Sequence, residues 1–299
     1  RDQSQCVVEL NSAPSGSPTL FCLHPSGGIV FCYQPLAKKL KAHAAVSGVM
    51  HRGFSEQHND TNTWDEMIAD YSSEIIKAQP QGPYHLLGWS LGGAIALDIA
   101  ATLEGLGHQV AFLGLVDSTV PEHLYPADLP RQRQLNEASH SEASEEIRDA
   151  IHYFDLLFPT LTEHTAAWLR DSPQGSVKGF YDWATGLVEP GQGDLLATVQ
   201  NIKNEVMNAQ AFAVHDRLVE AFAAFTFKPV TVQPSCWWAT PEKTAQELAF
   251  SETLIKRYSR TGALNCSMHS PLLHRSMIFD DTLIESVIET FLASVSLQR

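Results

Sequence analysis

Long apolar runs are missing from this 299-residue chain: no window approaches the ~18 consecutive apolar residues of a membrane-spanning helix. Positive charge is scarce as well. Lys and Arg total 20 against 34 Asp and Glu, a formal net charge of −14, which argues against binding nucleic acid or an anionic membrane. Cysteine is sparse: Cys6, Cys22, Cys32, Cys236 and Cys266 are odd in number and contain no C-x-x-C. Neither a disulfide framework nor a zinc site is therefore indicated, and a reducing cytoplasm is the simplest expectation. The 13 histidines include no H-E-x-x-H, and His269 and His274 lack a carboxylate at ligand spacing, so no bound metal or other permanent cofactor is expected. No secretory leader is expected at this start, because Arg1-Asp2-Gln3-Ser4-Gln5 is polar and runs straight into a short apolar stretch. The first residue is arginine rather than methionine, which suggests a domain excised from a longer chain.

The chain does have enough apolar residues, 44%, to bury a large core. Its first half alternates strand and helix signals. Val7-Val8-Glu9-Leu10 reads as a strand, and the continuous apolar run Leu20-Phe21-Cys22-Leu23 fits a strand covered on both faces. His24-Pro25-Ser26-Gly27-Gly28 is a loop, followed by a helix around Gln34 to Ala42 and a strand from Val46 to Met50. Thr63 and Glu66 form a capping-box pattern ahead of Met67, Tyr71 and Ile75 on one helical face. A further strand, Val110 to Val116, follows the turn at Gly105 and Gly107.

After Pro121 the alternation stops. Residues 129–146 are polar and read as a connection, and Ile147, Ile151, Phe154 and Phe158 share a helical face. Leu161 to Arg170 and Asn201 to Phe225 are also helical in pattern, and strand character returns only at Pro229-Val230-Thr231-Val232. A strand near Ala263 to Met268 and a helix from Leu283 to Leu292 close the chain. The expected fold is α/β: a mostly parallel, doubly wound sheet built from 1–120 and 226–299, with a helical insertion at 121–225. Such an insertion is either a packing subdomain or a lid, and its place above the strand C-termini favours the lid.

The most specific motif is Gly88-Trp89-Ser90-Leu91-Gly92, a G-x-S-x-G between the apolar Tyr84-His85-Leu86-Leu87 and a small-residue helix from Ala94 to Glu104. In that context it reads as the nucleophile elbow of an α/β-hydrolase fold, a strained turn that lifts Ser90 to a helix N-terminus where backbone N–H groups can stabilise an anion. A serine hydroxyl needs an imidazole to take its proton, and the imidazole needs a carboxylate to orient it. Asp117 follows the strand ending at Val116 and is the leading acid; Glu242 is a second candidate. His274 is the leading base and His269 the alternative, whereas His24 reads as a residue that fixes its loop. The oxyanion donors are expected to be the backbone N–H groups of Leu91 and Ser26, since Pro25 has none.

The segments Leu20 to Gly28, Gly82 to Gly93 and Val110 to Asp117, with their H-P-x-G-G and G-P-Y-x-L-x-G-x-S-x-G-G motifs, resemble the terminal (type I) thioesterase domains of nonribosomal peptide synthetases. The resemblance favours Asp117 over Glu242, and Met277 matches the family's apolar residue three positions after its base. It implies a monomeric domain that unloads an acyl or peptidyl chain from the phosphopantetheine thioester of an upstream carrier domain. The chain would pass through an acyl-Ser90 intermediate and leave by hydrolysis or macrocyclisation. A free-standing editing thioesterase or a carboxylesterase would carry the same elbow, and an inactive carrier-binding module is a third reading. Lys38, Lys39 and Lys41 form a basic cluster in an acidic chain; they read either as a solvated helix face or as a docking patch for an acidic carrier.

Overall fold

The computed structural model describes residues 6–26, 28–52, 63–118, 151, 162–172, 177–187, 228–241 and 243–297. The chain divides into two compact units, Arg1–Pro126 with Gln210–Arg299, and Ala127–Ala209.

The first unit is built on a seven-stranded sheet of order β1-β3-β2-β4-β5-β6-β7. Its strands are β1 (Val7–Glu9), β2 (Thr19–Leu23), β3 (Ala45–Val49), β4 (Tyr84–Trp89), β5 (Val110–Val116), β6 (Ser235–Ala239) and β7 (Cys266–Ser270). Only β1 runs antiparallel, against β3; every other pair is parallel. The described helices in the first part of this unit are α1 (Gln34–Leu40), α2 (Trp64–Ala78) and α3 (Leu91–Gly105). The second unit contributes α4 (Thr162–Asp171) and α5 (Val177–Thr185), and α6 (Ala245–Tyr258), α7 (His274–Met277) and α8 (Asp281–Ser296) follow in the first unit. The mostly parallel α/β architecture expected from the sequence is found.

Strand alternation explains how both faces of the sheet are covered. On β4 and β5, Leu86, Leu113 and Leu115 turn to one side and join Ile95 and Ile99 of α3 in the main core, which also takes in Met67, Tyr71 and Ile75 of α2. Their neighbours His85 and Phe112 turn the other way, each ring meeting Phe291 of α8 edge-on, at 5.3 and 5.6 Å between centroids. Central strands covered on both sides must be apolar throughout, and β4 and β6 are buried along almost their whole length. Edge strand β7 instead alternates half-buried and exposed residues. Helix α3 is buried nearly all round, which its run of Gly and Ala permits by letting the backbone sit close to the strands.

Local signals set several boundaries. Thr63 and Glu66 form both bonds of the capping box that starts α2, and Thr244 with Glu247 repeats the device at α6, a helix the sequence reading did not anticipate. The expected strand at Pro229-Val230-Thr231-Val232 is a correction. Only an isolated bridge, Val230 to Ser259, occurs there, and the sheet strand is Ser235–Ala239. The Glu104 carboxylate at the end of α3 accepts from the N–H groups of Val232, at 2.9 Å, and Thr231, at 2.6 Å, taking donors that a ladder would use. The last strand begins at Cys266 rather than Ala263, and α8 starts two residues earlier than read, where Asp280 caps it by accepting from Leu283 N–H.

Lys39 is engaged by Asp281 and Glu285 of α8, both at 2.9 Å, while Lys38 and Lys41 are exposed. In the second unit, Trp168 of α4 packs on Phe180 and Trp183 of α5, with Phe180 and Ala184 fully buried. The expected connection at 129–146, the residues Ile147, Phe154 and Phe158, and the helical stretch Asn201 to Phe225 lie outside the described residues, as does Glu242. No described helix is long and apolar enough to cross a membrane.

Candidate active site

Ser90 stands between β4 and α3 with φ 56° and ψ −129°, a conformation that L-residues adopt only under tertiary constraint. Two glycines make the turn sterically possible. A Cβ on Gly88 would meet the Gly92 carbonyl oxygen at 2.0 Å, and a Cβ on Gly92 would meet the Leu23 carbonyl oxygen of β2 at 2.4 Å. The backbone of Ser90 is tied to β5, its N–H donating to Val116 O at 2.9 Å. Leu91 opens α3, so its N–H is among the donors that a helix leaves unpaired in its first turn.

The close approach of Gly92 to Leu23 and His24 brings the elbow against the start of the His24–Gly28 loop. That loop is a tight turn, with Gly28 N–H donating to Pro25 O at 2.9 Å, and it contains Ser26; Gly27 lies outside the described residues. His24 is fully buried and committed to the loop: Nδ1 lies 2.8 Å from Pro25 O, and Nε2 lies 2.8 Å from the Tyr71 hydroxyl. A carbonyl can only accept, so Nδ1 carries the proton and Nε2 accepts from Tyr71. Burial first, and His51 second, push its pKa down to about 3, so His24 is neutral and structural.

Asp117 follows β5 directly, also with positive φ, 41°. It is buried, 2% exposed, and its Oδ2 accepts from His274 Nδ1 at 2.6 Å. His274 begins α7, and its ring lies against Trp89, the residue before Ser90, at 5.3 Å between centroids and 31° between planes. The indole N–H of Trp89 donates to the His274 carbonyl at 3.1 Å. The structure thus brings Asp117 and His274 into contact and packs His274 on the elbow. The other histidine considered, His269, projects from β7 and lies 2.9 Å from the Glu252 carboxylate.

Two residues here were not foreseen. Lys243 Nζ lies 2.5 Å from Asp117 Oδ1 and 2.7 Å from Oδ2, and Ala239 N–H donates to Oδ1 at 3.0 Å. Tyr33 donates its buried hydroxyl to Leu23 O at 2.7 Å and accepts from Trp89 N–H at 2.8 Å, joining β2 to the elbow. Neither carries a local motif; both act across long separations in sequence. Burial is the largest influence on Asp117 and works to raise its pKa. The His274 hydrogen bond and the Lys243 charge outweigh it and hold the carboxyl below its ordinary range. Among the described residues no cluster of three or more His, Cys, Asp or Glu is placed to hold a metal ion.

An elbow serine after β4, a carboxylate after β5 and a histidine after the last strand of a mostly parallel sheet define the α/β-hydrolase class. Within it, residues 18–222 match the thioesterase domain family, and the chain belongs to that family. It is 40% identical over 125 residues to the dimodular nonribosomal peptide synthase of Bacillus subtilis (strain 168), a match covering 42% of this chain and 5% of that protein. It is 39% identical over 105 residues to enterobactin synthase component F of Escherichia coli (strain K12), covering 35% of this chain and 8% of that protein. The chain therefore spans a small fraction of the length of these relatives. Its fold is similar to that of the NocB thioesterase domain from the nocardicin cluster, with a TM-score of 0.55 at 17% identity, over 96% of this chain and 98% of the other.

Proposed function

We propose that this thioesterase domain releases an acyl or peptidyl chain from the phosphopantetheine arm of a carrier domain upstream in a multidomain synthetase. Ser90 is the nucleophile, His274 its general base and Asp117 the acid that orients the base. His274 takes the Ser90 hydroxyl proton as the oxygen attacks the thioester carbonyl; the N–H groups of Leu91 and Ser26 receive the oxyanion. The tetrahedral intermediate collapses with loss of the thiol, which takes the proton from His274. In the second half-reaction His274 activates either water, giving a linear acid, or a hydroxyl or amine of the bound chain, giving a ring.

The observation that carries this reading is the 2.6 Å contact of His274 Nδ1 with Asp117, two residues otherwise 157 apart in sequence. It commits Nδ1–H to the carboxylate and leaves Nε2 as the basic nitrogen. The carrier-borne substrate is supported by the peptide-synthetase relatives. The five free thiols fit a reducing compartment such as the cytoplasm.

Incubation with acyl-N-acetylcysteamine thioesters, followed by mass analysis of protein and products, tests the proposal. The expected result is an acyl adduct on Ser90, absent in Ser90→Ala, and a product whose mass separates ring from linear acid by one water. An adduct that persists in Ser90→Ala would remove Ser90 from the mechanism. Turnover of simple oxygen esters with no turnover of thioesters would favour a carboxylesterase.

A further inference from the structure

A triad carboxylate has to do two things: hold the imidazole in one orientation, and favour its charged form as the serine proton arrives. Asp117 does so from a strained backbone, and its side chain is held by more than the histidine. Lys243 spans both carboxylate oxygens and shares Oδ2 with His274, while Ala239 N–H holds Oδ1. The ammonium is itself well anchored. The Lys243 N–H donates to Thr240 O at 3.2 Å, and Thr240 donates through both N–H and Oγ1 to Ser270 O, each at 2.9 Å. Thr244, the next residue, caps α6, and Nζ makes a further contact with Ala239 O at 3.3 Å. The side chain of Lys243 is 20% exposed against 1% for Asp117, so water screens this pair weakly.

We propose that Lys243 is a positioning residue of the acyl-transfer site, which pins Asp117 and sets how strongly that carboxylate holds the protonated form of His274. This rests on the reading of Ser90, Asp117 and His274 as the catalytic set. Among the described residues, the charged and titratable groups acting on Asp117 are His274, from α7, and Lys243, from the turn before α6; the Trp89 ring covers His274 on the elbow side. The physical consequence follows from charge. A fixed cation on the carboxylate offsets part of its attraction for an imidazolium, and an uncharged side chain at 243 would remove that offset. Lys243 also stops the carboxylate from rotating away from Nδ1.

The test uses the rate of serine labelling by a fluorophosphonate as a function of pH, which reads the base without knowledge of the natural substrate. Ser90→Ala is run alongside. In Lys243→Met the acid limb of the profile is expected to move up by about one pH unit, slowing labelling about tenfold below that limb. Lys243→Arg, which keeps the charge, should restore most of the original profile. If Lys243→Met does not fold, Lys243→Gln is compared with Lys243→Arg, and the uncharged variant should show the upward shift. A profile unchanged in the uncharged variant, or the same shift in the arginine variant, overturns the role of Lys243 while leaving the triad intact. Labelling that survives Ser90→Ala overturns the triad reading itself, so the two failures are distinguishable.

Discussion

The Tyr33 hydroxyl joins two segments of the site: it accepts a hydrogen bond from Trp89 N–H at 2.8 Å and donates one to Leu23 O at 2.7 Å. It thereby fixes the end of β2, from which the His24–Gly28 loop departs, against the strand that delivers Ser90. Tyr33→Phe would leave a buried amide and a buried carbonyl without this partner. We expect a loss of about 2–4 kcal/mol in denaturant unfolding, together with slower serine labelling. A stability change below about 0.5 kcal/mol would show that the tie carries no load.

The glycines of the elbow differ in what opposes them, and so should their variants. A Cβ on Gly92 meets backbone, the Leu23 carbonyl oxygen, whereas a Cβ on Gly93 meets the Ser118 side chain, with Oγ at 1.6 Å and Cβ at 2.5 Å. Gly92→Ala should abolish labelling with no single-residue rescue. Gly93→Ala should be impaired and then largely recovered by Ser118→Gly, since that change removes both clashing atoms. Labelling rates across the four-member cycle of Gly93 and Ser118 variants measure this. Purely additive losses would contradict it.

Asp98 is an expensive residue inside α3. It is 3% exposed, one oxygen accepts from Trp64 Nε1 at 3.0 Å, and Oδ1 has no hydrogen-bond partner among the described residues. Burial foremost raises its pKa to about 6, with Trp64 and Lys228 pulling the other way. A raised folded-state pKa means that its stabilising contribution is complete below the unfolded value near 3.8 and is lost as pH rises through about 6. Asp98→Asn should therefore be more stable than the parent at pH 7, by about 1–3 kcal/mol, with the difference shrinking as pH falls towards 4. Urea midpoints of both proteins across that range are the check, and a gap that widens on acidification would refute it.

Glu104 holds the segment before β6 by accepting from Thr231 and Val232 N–H. Glu104→Ala should cost about 1–3 kcal/mol, and Glu104→Gln less, because its amide oxygen can still accept one of the two bonds. Hydrogen exchange at the Thr231 and Val232 amides should accelerate in the alanine variant. Unchanged protection there would show that the carboxylate is incidental.

That last contact also explains where sequence reading stopped short. Pro229-Val230-Thr231-Val232 has β-branched strand character, while Ser235-Cys236-Trp237-Trp238-Ala239 is the segment that pairs with β5 and β7. The choice between them was made by a carboxylate on α3, more than a hundred residues earlier in the chain. Composition and periodicity register only neighbours along the chain, so they cannot see it. The elbow was legible for the opposite reason: its demands are local, a strand, two glycines that must lack Cβ, and a helix of small residues. The capping box at Thr63 was legible in the same way, and the matching one at Thr244 was available from the same signal.

The sequence by itself determined that a mostly parallel sheet would carry Ser90 on a strained turn at a helix N-terminus. Hydrophobic runs, glycine sterics and capping are all written within a few residues of where they act. It also narrowed the partners of that serine to two acids and two histidines. Only the tertiary structure set His274 against Asp117 and tied His269 to Glu252, and only it delivered Lys243 and Tyr33 to the site. A lysine before a helix or a tyrosine after a loop has no preferred partner until the sheet closes. Burial then decides, because a carboxylate or hydroxyl removed from water must take whichever donors and acceptors the fold has brought within reach.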